Sequence, residues 1–388
     1  MSASSPKKRV LLISHTCQSR TEGQPKAQFL GATPDIELCV LVPHRWKRYG
    51  AWRAPETPHN PSFDFQVGRV ALPWSGPGQT YLHFYPLLPA LLQRFRPDII
   101  DLWEEPWSLV SAQTCFWRDR LLPRAKIVAE TEQNIDKRLP PPFEPFRSYV
   151  LKRADFVVGR NAESLKIVRR KGYGGAAQVV PNAVDTELFG PQNRADCRQK
   201  LGVEGFIVGY AGRLVAEKGL GDLVESLALC DASVQLVLVG SGPFEADLKA
   251  QISALKLENR VRFLGARPLE ELPLIFGALD VLVLPSRTTS SWKEQFGRVL
   301  IEAGACKIPV IGSDSGAIPE VIGEGDDAMG LIFPETDARV LAEAISKLQN
   351  DPELAQKLGK NGARRAQNEF SWQKVAERMA QIYRVLAP

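Results

Sequence analysis

The sequence predicts an α/β chain of two domains, each built on a parallel sheet. Three observations predict it. The chain has 388 residues, enough for about two cores. Short apolar runs alternate with stretches of helical spacing, as parallel sheets require. The pattern also restarts after the segment Pro181 to Pro191. A hydrophobic content of 44% with 24% charged residues is that of a globular protein. No apolar run approaches the ~18 residues that a membrane span needs.

Val10 to Ser14 reads as the first strand. It is too short for the apolar region of a signal peptide, which makes the cytoplasm the expected compartment. A polar loop, His15 to Lys26, leads to a strand from Ile36 to Val42. Residues 44 to 80, rich in Pro, Trp and Gly, read as a long irregular, lid-like segment, and loops of that length tend to be functional. Tyr81 to Phe95 has helical spacing. Ile99 to Trp103 is a strand that delivers Glu104 and Glu105 to a loop. Ser108 to Arg120 reads as a helix, and Lys126 to Ala129 as a strand delivering Glu130, Thr131 and Glu132. A helix ending at Ala154 and strands at Asp155 to Gly159 and Gln178 to Val180 finish this half.

In the second half, strands are expected at Phe206 to Ala211, Gln235 to Val239, Val261 to Leu264, Val281 to Leu284 and Pro309 to Ile311. Helices fall between them at Gly219 to Leu229, Pro243 to Leu255, Glu270 to Leu279 and Phe296 to Cys306. The expected domains are residues 1–188 and 189–370, enclosing a cleft at the carboxyl ends of their strands. An amphipathic helix within 371–388, with Ser371 as its cap, is expected to pack back on the first domain.

Six cysteines (Cys17, Cys39, Cys115, Cys197, Cys230, Cys306) are scattered without a C-x-x-C pair, so they read as reduced thiols, with neither disulfide nor zinc. The net charge of +5 divides unevenly: residues 1–190 hold 26 Lys and Arg against 18 Asp and Glu, the remainder 23 against 26. A basic first half is ordinary solvated charge, or it faces an acidic substrate or the inner surface of an anionic membrane. Nucleic acid is not expected, because the aromatics do not interleave with the basic residues as a stacking platform would.

Glu294-Gln295-Phe296-Gly297-Arg298-Val299-Leu300-Ile301-Glu302 places two carboxylates eight residues apart at a loop-to-helix junction. With Glu302 roughly two turns into the helix, about 12 Å of rise separates them. Charges that far apart cannot share a proton. They can grip opposite ends of an extended ligand whose anionic middle faces the free amides of the helix start, which suggests a sugar nucleotide. Gly212-Arg213 with Lys218-Gly219 follows a strand and opens a helix. Glycines let the backbone approach phosphate, Arg213 offers a fork and Lys218 a compact charge, which together suit a diphosphate; a plain surface turn is the other reading. Val239-Gly240-Ser241-Gly242-Pro243 is a second strand-to-glycine turn.

These motifs, with Val180-Pro181-Asn182-Ala183-Val184-Asp185, Val261-Arg262-Phe263-Leu264-Gly265, Leu284-Pro285-Ser286, Pro309-Val310-Ile311, Gly316, Pro319-Glu320 and Phe370-Ser371-Trp372, closely resemble the retaining glycosyltransferases of family 4, of GT-B fold. The resemblance covers residues 150–388; the first 150 match mainly in their strand and helix pattern. It implies two Rossmann-like domains and transfer of a hexose from a nucleoside-diphosphate sugar, UDP- or GDP-linked, to a saccharide, lipid or small-molecule acceptor with retention of configuration. Arg213 and Lys218 would bind the donor diphosphate and neutralise the leaving group, where other folds use a metal. Glu294 would meet the sugar hydroxyls, Glu302 the ribose, and the amides from Gln295 through Phe296, Gly297 and Arg298 to Val299 the sugar and phosphate. Gly212 and Gly240 would line the donor, and Arg267 lies where the family usually holds the base. No D-x-D motif occurs, in keeping with no required metal or other cofactor.

Two departures stand out. The family's histidine near the anomeric carbon aligns with Glu132, which would orient the sugar or stabilise the transition state; otherwise it is a helix cap or a partner of Lys137 or Arg138. The glycine-rich loop after the first strand is missing, since only Gly23 occurs there. Glu104 and Glu105 are candidates for contacting the acceptor, His15 and His83 for a base. Trp46, Trp52, Trp74, Trp103 and Trp107 read as a stacking wall or as core. The rival readings are a non-catalytic relative and an epimerase- or phosphorylase-like enzyme on the same fold.

Overall fold

A computed structural model describes residues 7–48, 51–71 and 79–387. Two compact units form it, Met1–Pro181 with Trp372–Pro388, and Asn182–Ser371. The division falls after Pro181 rather than after residue 188. The Val184 N–H donates to Phe370 O at 2.8 Å, and Val184 and Phe189 are buried in the second unit's core, so residues 182–188 belong there.

The first unit carries β1 (Lys8–Ile13), β2 (Ile36–Pro43), a hairpin of β3 (Trp46–Arg48) and β4 (Ala51–Arg53), β5 (Asp64–Gly68), β6 (Ile99–Leu102), β7 (Lys126–Thr131), β8 (Phe156–Gly159) and β9 (Ala176–Val179). Seven of these form one parallel sheet in the order β5-β2-β1-β6-β7-β8-β9. The central strands are apolar throughout (Val10, Leu11, Leu12 and Ile13; Ile127, Val128 and Ala129) and fully buried, because helices cover both faces of a parallel sheet. The order reverses between β1 and β6, which makes the carboxyl ends of those two strands the crevice where ligands of such sheets bind.

Three expectations change here. Residues 44–80 are not wholly irregular, since they hold the hairpin and the edge strand β5; Trp74 lies outside the described residues. The apolar residues of β5 alternate with Asp64 and Gln66, and its half-solvated pattern hides it among polar neighbours. The helix expected over Tyr81 to Phe95 is two pieces, Gln79–Leu82 and Leu88–Phe95. Pro86 has no N–H to give, and Ala71 and Phe84 exchange backbone hydrogen bonds instead (3.0 and 3.2 Å). Lys26 is not in a loop, because a helix spans Gln24–Gly31.

The C-terminal helix, Trp372–Leu386, belongs to the first unit. Its Tyr383 hydroxyl donates to Asp101 Oδ2 at 2.6 Å, and Arg384 donates from Nε and Nη2 to Asp35, each at 2.8 Å.

The second unit's sheet has six parallel strands, β10 (Phe206–Ala211), β11 (Val234–Val239), β12 (Val261–Gly265), β13 (Val281–Leu284), β14 (Val310–Ser313) and β15 (Gly330–Phe333), ordered β12-β11-β10-β13-β14-β15. The order reverses between β10 and β13. The helix after β13 runs Arg298–Ala305, so Glu302 is its fifth residue. Helix rise from its start to Glu302 is therefore about 6 Å, and Glu294 lies in the non-helical residues before that start.

Candidate functional site

At the second unit's reversal point, the loops following β10 and β13 are fastened together. Arg287, after β13, donates from Nε to Asp222 Oδ2 at 2.6 Å and from Nη2 to Oδ1, and its backbone N–H donates to Glu217 O at 2.9 Å. Gly219 sits in the left-handed region (φ 66°), where a Cβ would lie 1.8 Å from Pro285 O. Only glycine allows that approach. Lys218 is thereby carried against the second loop, where its Nζ meets Glu294 Oε2 at 2.5 Å and lies 5.0 Å from the Trp292 ring centroid.

Glu294 is 7% exposed, and its Oε2 also accepts from Ser286 Oγ at 2.8 Å. The backbone carbonyl of Ser286 is held in turn by Ser313 Oγ at 2.5 Å. The carboxylate is thus fixed by a cation and a hydroxyl. A buried, oriented pair of this kind costs little further ordering when a ligand arrives.

The segments that carry this pair also hold groups with unused hydrogen-bonding capacity. Arg213, exposed on the turn after β10, has no side-chain hydrogen bond or ion pair among the described residues. Glu302 is buried to 9% exposure without a side-chain hydrogen bond among them. Burial pushes its carboxyl above the ordinary range, and Arg298 pulls it partly back. Gly297 precedes the helix at φ 83°, and the first-turn amides of Arg298 and Val299 have no i−4 partner within it.

The side chains of Phe296 and Val299 are taken up by packing, and it is their backbone amides that the sequence reading assigns to the ligand. Phe296 packs edge-on to Phe370 (centroids 6.0 Å apart) and Val299 against the same core, so only their backbones are available. Gln295 is exposed and Arg298 half-buried. Gly240 (φ 133°) would bring a Cβ to 1.8 Å from Gly212 O, which ties the two glycine turns to each other as much as to any ligand. Arg267 folds onto its own turn, donating to Leu264 O at 2.9 Å with Glu271 Oε2 3.4 Å away, two strands from β10. Among the described residues no group of three or more His, Cys, Asp and Glu is gathered for a metal.

The first unit places a second polar cluster at its own reversal point. His15 follows β1 and Glu104 follows β6. The carboxylate accepts the His15 N–H at 2.7 Å and holds its Nδ1 at 2.8 Å. Burial opposes both charges, but the pairing wins: the His15 ring is raised above its ordinary value and the Glu104 carboxyl lowered. Trp46 stacks on His15 at 4.6 Å and meets His83 edge-on at 4.9 Å; His83 is fully buried, its Nε2 3.9 Å from Glu104 Oε1.

Glu105 accepts from Thr131 Oγ1 at 2.7 Å and from the Glu132 N–H at 2.9 Å. The Glu132 side chain is 38% exposed, and Arg160 Nε lies 3.6 Å from its Oε1, in place of Lys137 or Arg138. The tryptophans divide: Trp46, Trp103 and Trp107 are buried, whereas Trp52 is exposed beneath Arg45.

Sequence reasoning missed a buried network next to this cluster. Lys26 Nζ bonds Glu130 and lies 3.6 Å from Asp101 Oδ2 and 4.3 Å from the Trp103 ring, while Arg160 bonds Glu130 from the other side. Burial and the neighbouring Glu130 push Asp101 up; burial works against the Glu130 charge too, yet Arg160 and Lys26 hold that carboxyl below the usual range. No spacing in the sequence marks these four as partners, because they come from four separate elements.

Burial pushes the half-buried Glu105 up to about 8. A carboxyl raised above its unfolded value of about 4.3 favours the folded state most when protonated. Stability therefore declines as pH rises from about 4.5 to 8. The Glu105→Gln variant is expected to have a flatter melting temperature between pH 5.5 and 8.5 than the wild type. Parallel curves would show that Glu105 is charged throughout.

Two Rossmann-like units with these reversal points define the GT-B fold of glycosyltransferases. Residues 193–365 match the model of the family described as glycosyl transferases group 1, so the second unit is a group 1 glycosyl transferase domain. The chain is 32% identical over 219 residues to a GDP-mannose-dependent alpha-(1-6)-phosphatidylinositol monomannoside mannosyltransferase of Mycolicibacterium smegmatis, covering 54% of this chain and 57% of that protein. The chain thus spans little more than half of that relative's length. It is 27% identical over 336 residues to the lipopolysaccharide core biosynthesis mannosyltransferase LpsB of Rhizobium meliloti, covering 80% and 90%. The structure of sucrose-phosphate synthase from Thermosynechococcus elongatus superposes with a TM-score of 0.75 at 25% identity, covering 98% and 99%.

Proposed function

We propose that the chain is a retaining hexosyltransferase of glycosyltransferase family 4. It moves a hexose from a UDP- or GDP-linked sugar to a saccharide, lipid or small-molecule acceptor, without a metal or other cofactor. The observation that carries this reading is the Lys218–Glu294 pair held at the second unit's reversal point, on the same two segments as Arg213 and Glu302, which have no side-chain hydrogen bond among the described residues.

Each group has a task suited to its chemistry. Arg213 and Lys218 take the diphosphate and stabilise the negative charge that grows on it as the glycosidic bond breaks. Glu294 accepts hydroxyls of the donor sugar, and Glu302 those of the ribose. A carboxylate before a helix start and another on its fifth residue, with the first-turn amides of Arg298 and Val299 between them, match a ligand that is neutral at its ends and anionic in the middle. The acceptor hydroxyl attacks from the leaving group's face, and an oxygen of the departing diphosphate takes its proton. Glu132 lies after β7 with a half-exposed carboxylate, available to support the oxocarbenium-like transition state. Glu104 and Glu105 shape the acceptor side: Glu104 by fixing His15, Glu105 by holding the Glu132 backbone. The basic first half favours an acceptor at, or peripheral contact with, the cytoplasmic face of an anionic membrane. No described helix is long and apolar enough to cross one.

A thermal-shift panel of uridine, guanosine and adenosine diphosphates and their hexoses tests the reading. One nucleotide series should raise the melting temperature, and chelation with EDTA should leave that shift unchanged. A flat response to all three series would refute the assignment; a response that vanishes with EDTA would refute metal independence.

A further inference from the structure

The first unit has a cleft of about 1010 Å³ at the amino-terminal ends of its strands. Lys8 and Arg9 open β1, Lys126 opens β7, Asp98 precedes β6, and the loop residues Arg96 and Arg124 complete the rim with Lys7. The His15–Glu104 cluster lies at the opposite ends of the same strands. Six residues of β1 at ~3.3 Å each put about 20 Å between the two places.

Six cations line this cleft against two carboxylates, Glu37 and Asp98. Asp98 is engaged by Arg9, accepting its N–H at 2.8 Å, and Lys126 is paired with Asp155 at 3.0 Å. Lys7, Lys8, Arg96 and Arg124 have no ion pair or side-chain hydrogen bond among the described residues. Unpaired like charges around one concavity repel each other and focus a positive potential into it. Leu121, Leu122 and Leu386 give the cleft an apolar wall that lowers the local dielectric and strengthens that potential.

We propose that this cleft is a second anion site, separate from the donor site, that takes a ligand bearing two or more phosphate charges. Both a soluble polyphosphate and the headgroups of anionic lipids offer that chemistry. The proposal does not depend on the activity assigned above, because its cations take no part in the reaction.

The test uses the full chain and two probes. Inorganic tripolyphosphate is titrated by calorimetry, and vesicles of equal phosphatidylglycerol and phosphatidylcholine are sedimented with the protein against pure phosphatidylcholine. The tripolyphosphate titration is made on Arg213→Ala/Lys218→Ala, so that the donor site does not contribute. Binding to either probe is expected to weaken at least tenfold in Lys8→Glu/Arg124→Glu. It should persist in Arg339→Glu/Lys347→Glu, which changes net charge equally on exposed positions of the second unit. Tripolyphosphate binding without vesicle binding identifies a soluble ligand, and the reverse a lipid surface. Binding of neither probe overturns the site, as does equal weakening in the two charge-reversed variants. Should the Lys8 reversal disturb β1, the exposed pair Arg96→Gln/Arg124→Gln gives the same reading.

Discussion

Lys218→Ala is expected to lower turnover of the sugar nucleotide by about 10²- to 10³-fold, and Arg213→Ala by a similar factor. The size follows from the roughly 3 to 4 kcal/mol that one such group contributes to stabilising transition-state charge. The two variants should differ in their side effects. Arg213 is exposed and pairs with nothing among the described residues, so its loss should leave the melting temperature unchanged. Lys218 balances the buried Glu294, so its removal takes the Lys218 cation away from that carboxylate and should also lower the melting temperature. Release of nucleoside diphosphate, followed with the donor found by thermal shift, measures the first effect. Wild-type turnover in either variant would remove the diphosphate role from this pair.

The second large effect is expected from Lys26→Ala. Lys26 is fully buried, bonded to Glu130 and close to Asp101. Removing one partner from a buried ionic cluster typically costs 3 to 5 kcal/mol, because the remaining carboxylates cannot be rehydrated. For a unit of this size that corresponds to a fall in melting temperature on the order of 10 °C. Lys26→Met keeps most of the side chain's volume and should be nearly as damaging if charge, not packing, is at issue. A loss below about 1 kcal/mol in both variants would show that Arg160 alone satisfies Glu130.

How far the sequence discloses this molecule depends on whether an interaction is local. The second unit's strands are apolar runs ended by Gly or Pro, and their order of appearance signals a parallel sheet without any knowledge of contacts. Lys218 and Glu294 could each be singled out from the glycine turn and the helix start around them. That they form a pair could not, because 76 residues separate them and the contact exists only through the β10–β13 reversal. The same holds more strongly for Lys26, Asp101, Glu130 and Arg160. Each is an ordinary charged residue in its own segment, and only the packing of four elements makes a network of them. The edge strand β5 and the break before Leu88 were obscured by weak alternation and by proline-rich surroundings.

The route of the chain also bears on its synthesis. The first unit is discontinuous: its sheet is complete by Val179, yet the helix bearing Tyr383 and Arg384 arrives only after the whole second unit. At 5 to 20 residues per second, Asp101 waits roughly 15 to 60 s on the ribosome for its partner hydroxyl. During that interval the second unit, continuous from Asn182 to Ser371, can close on itself. The order of synthesis thus allows the second unit to complete its native contacts before the first has received its last helix.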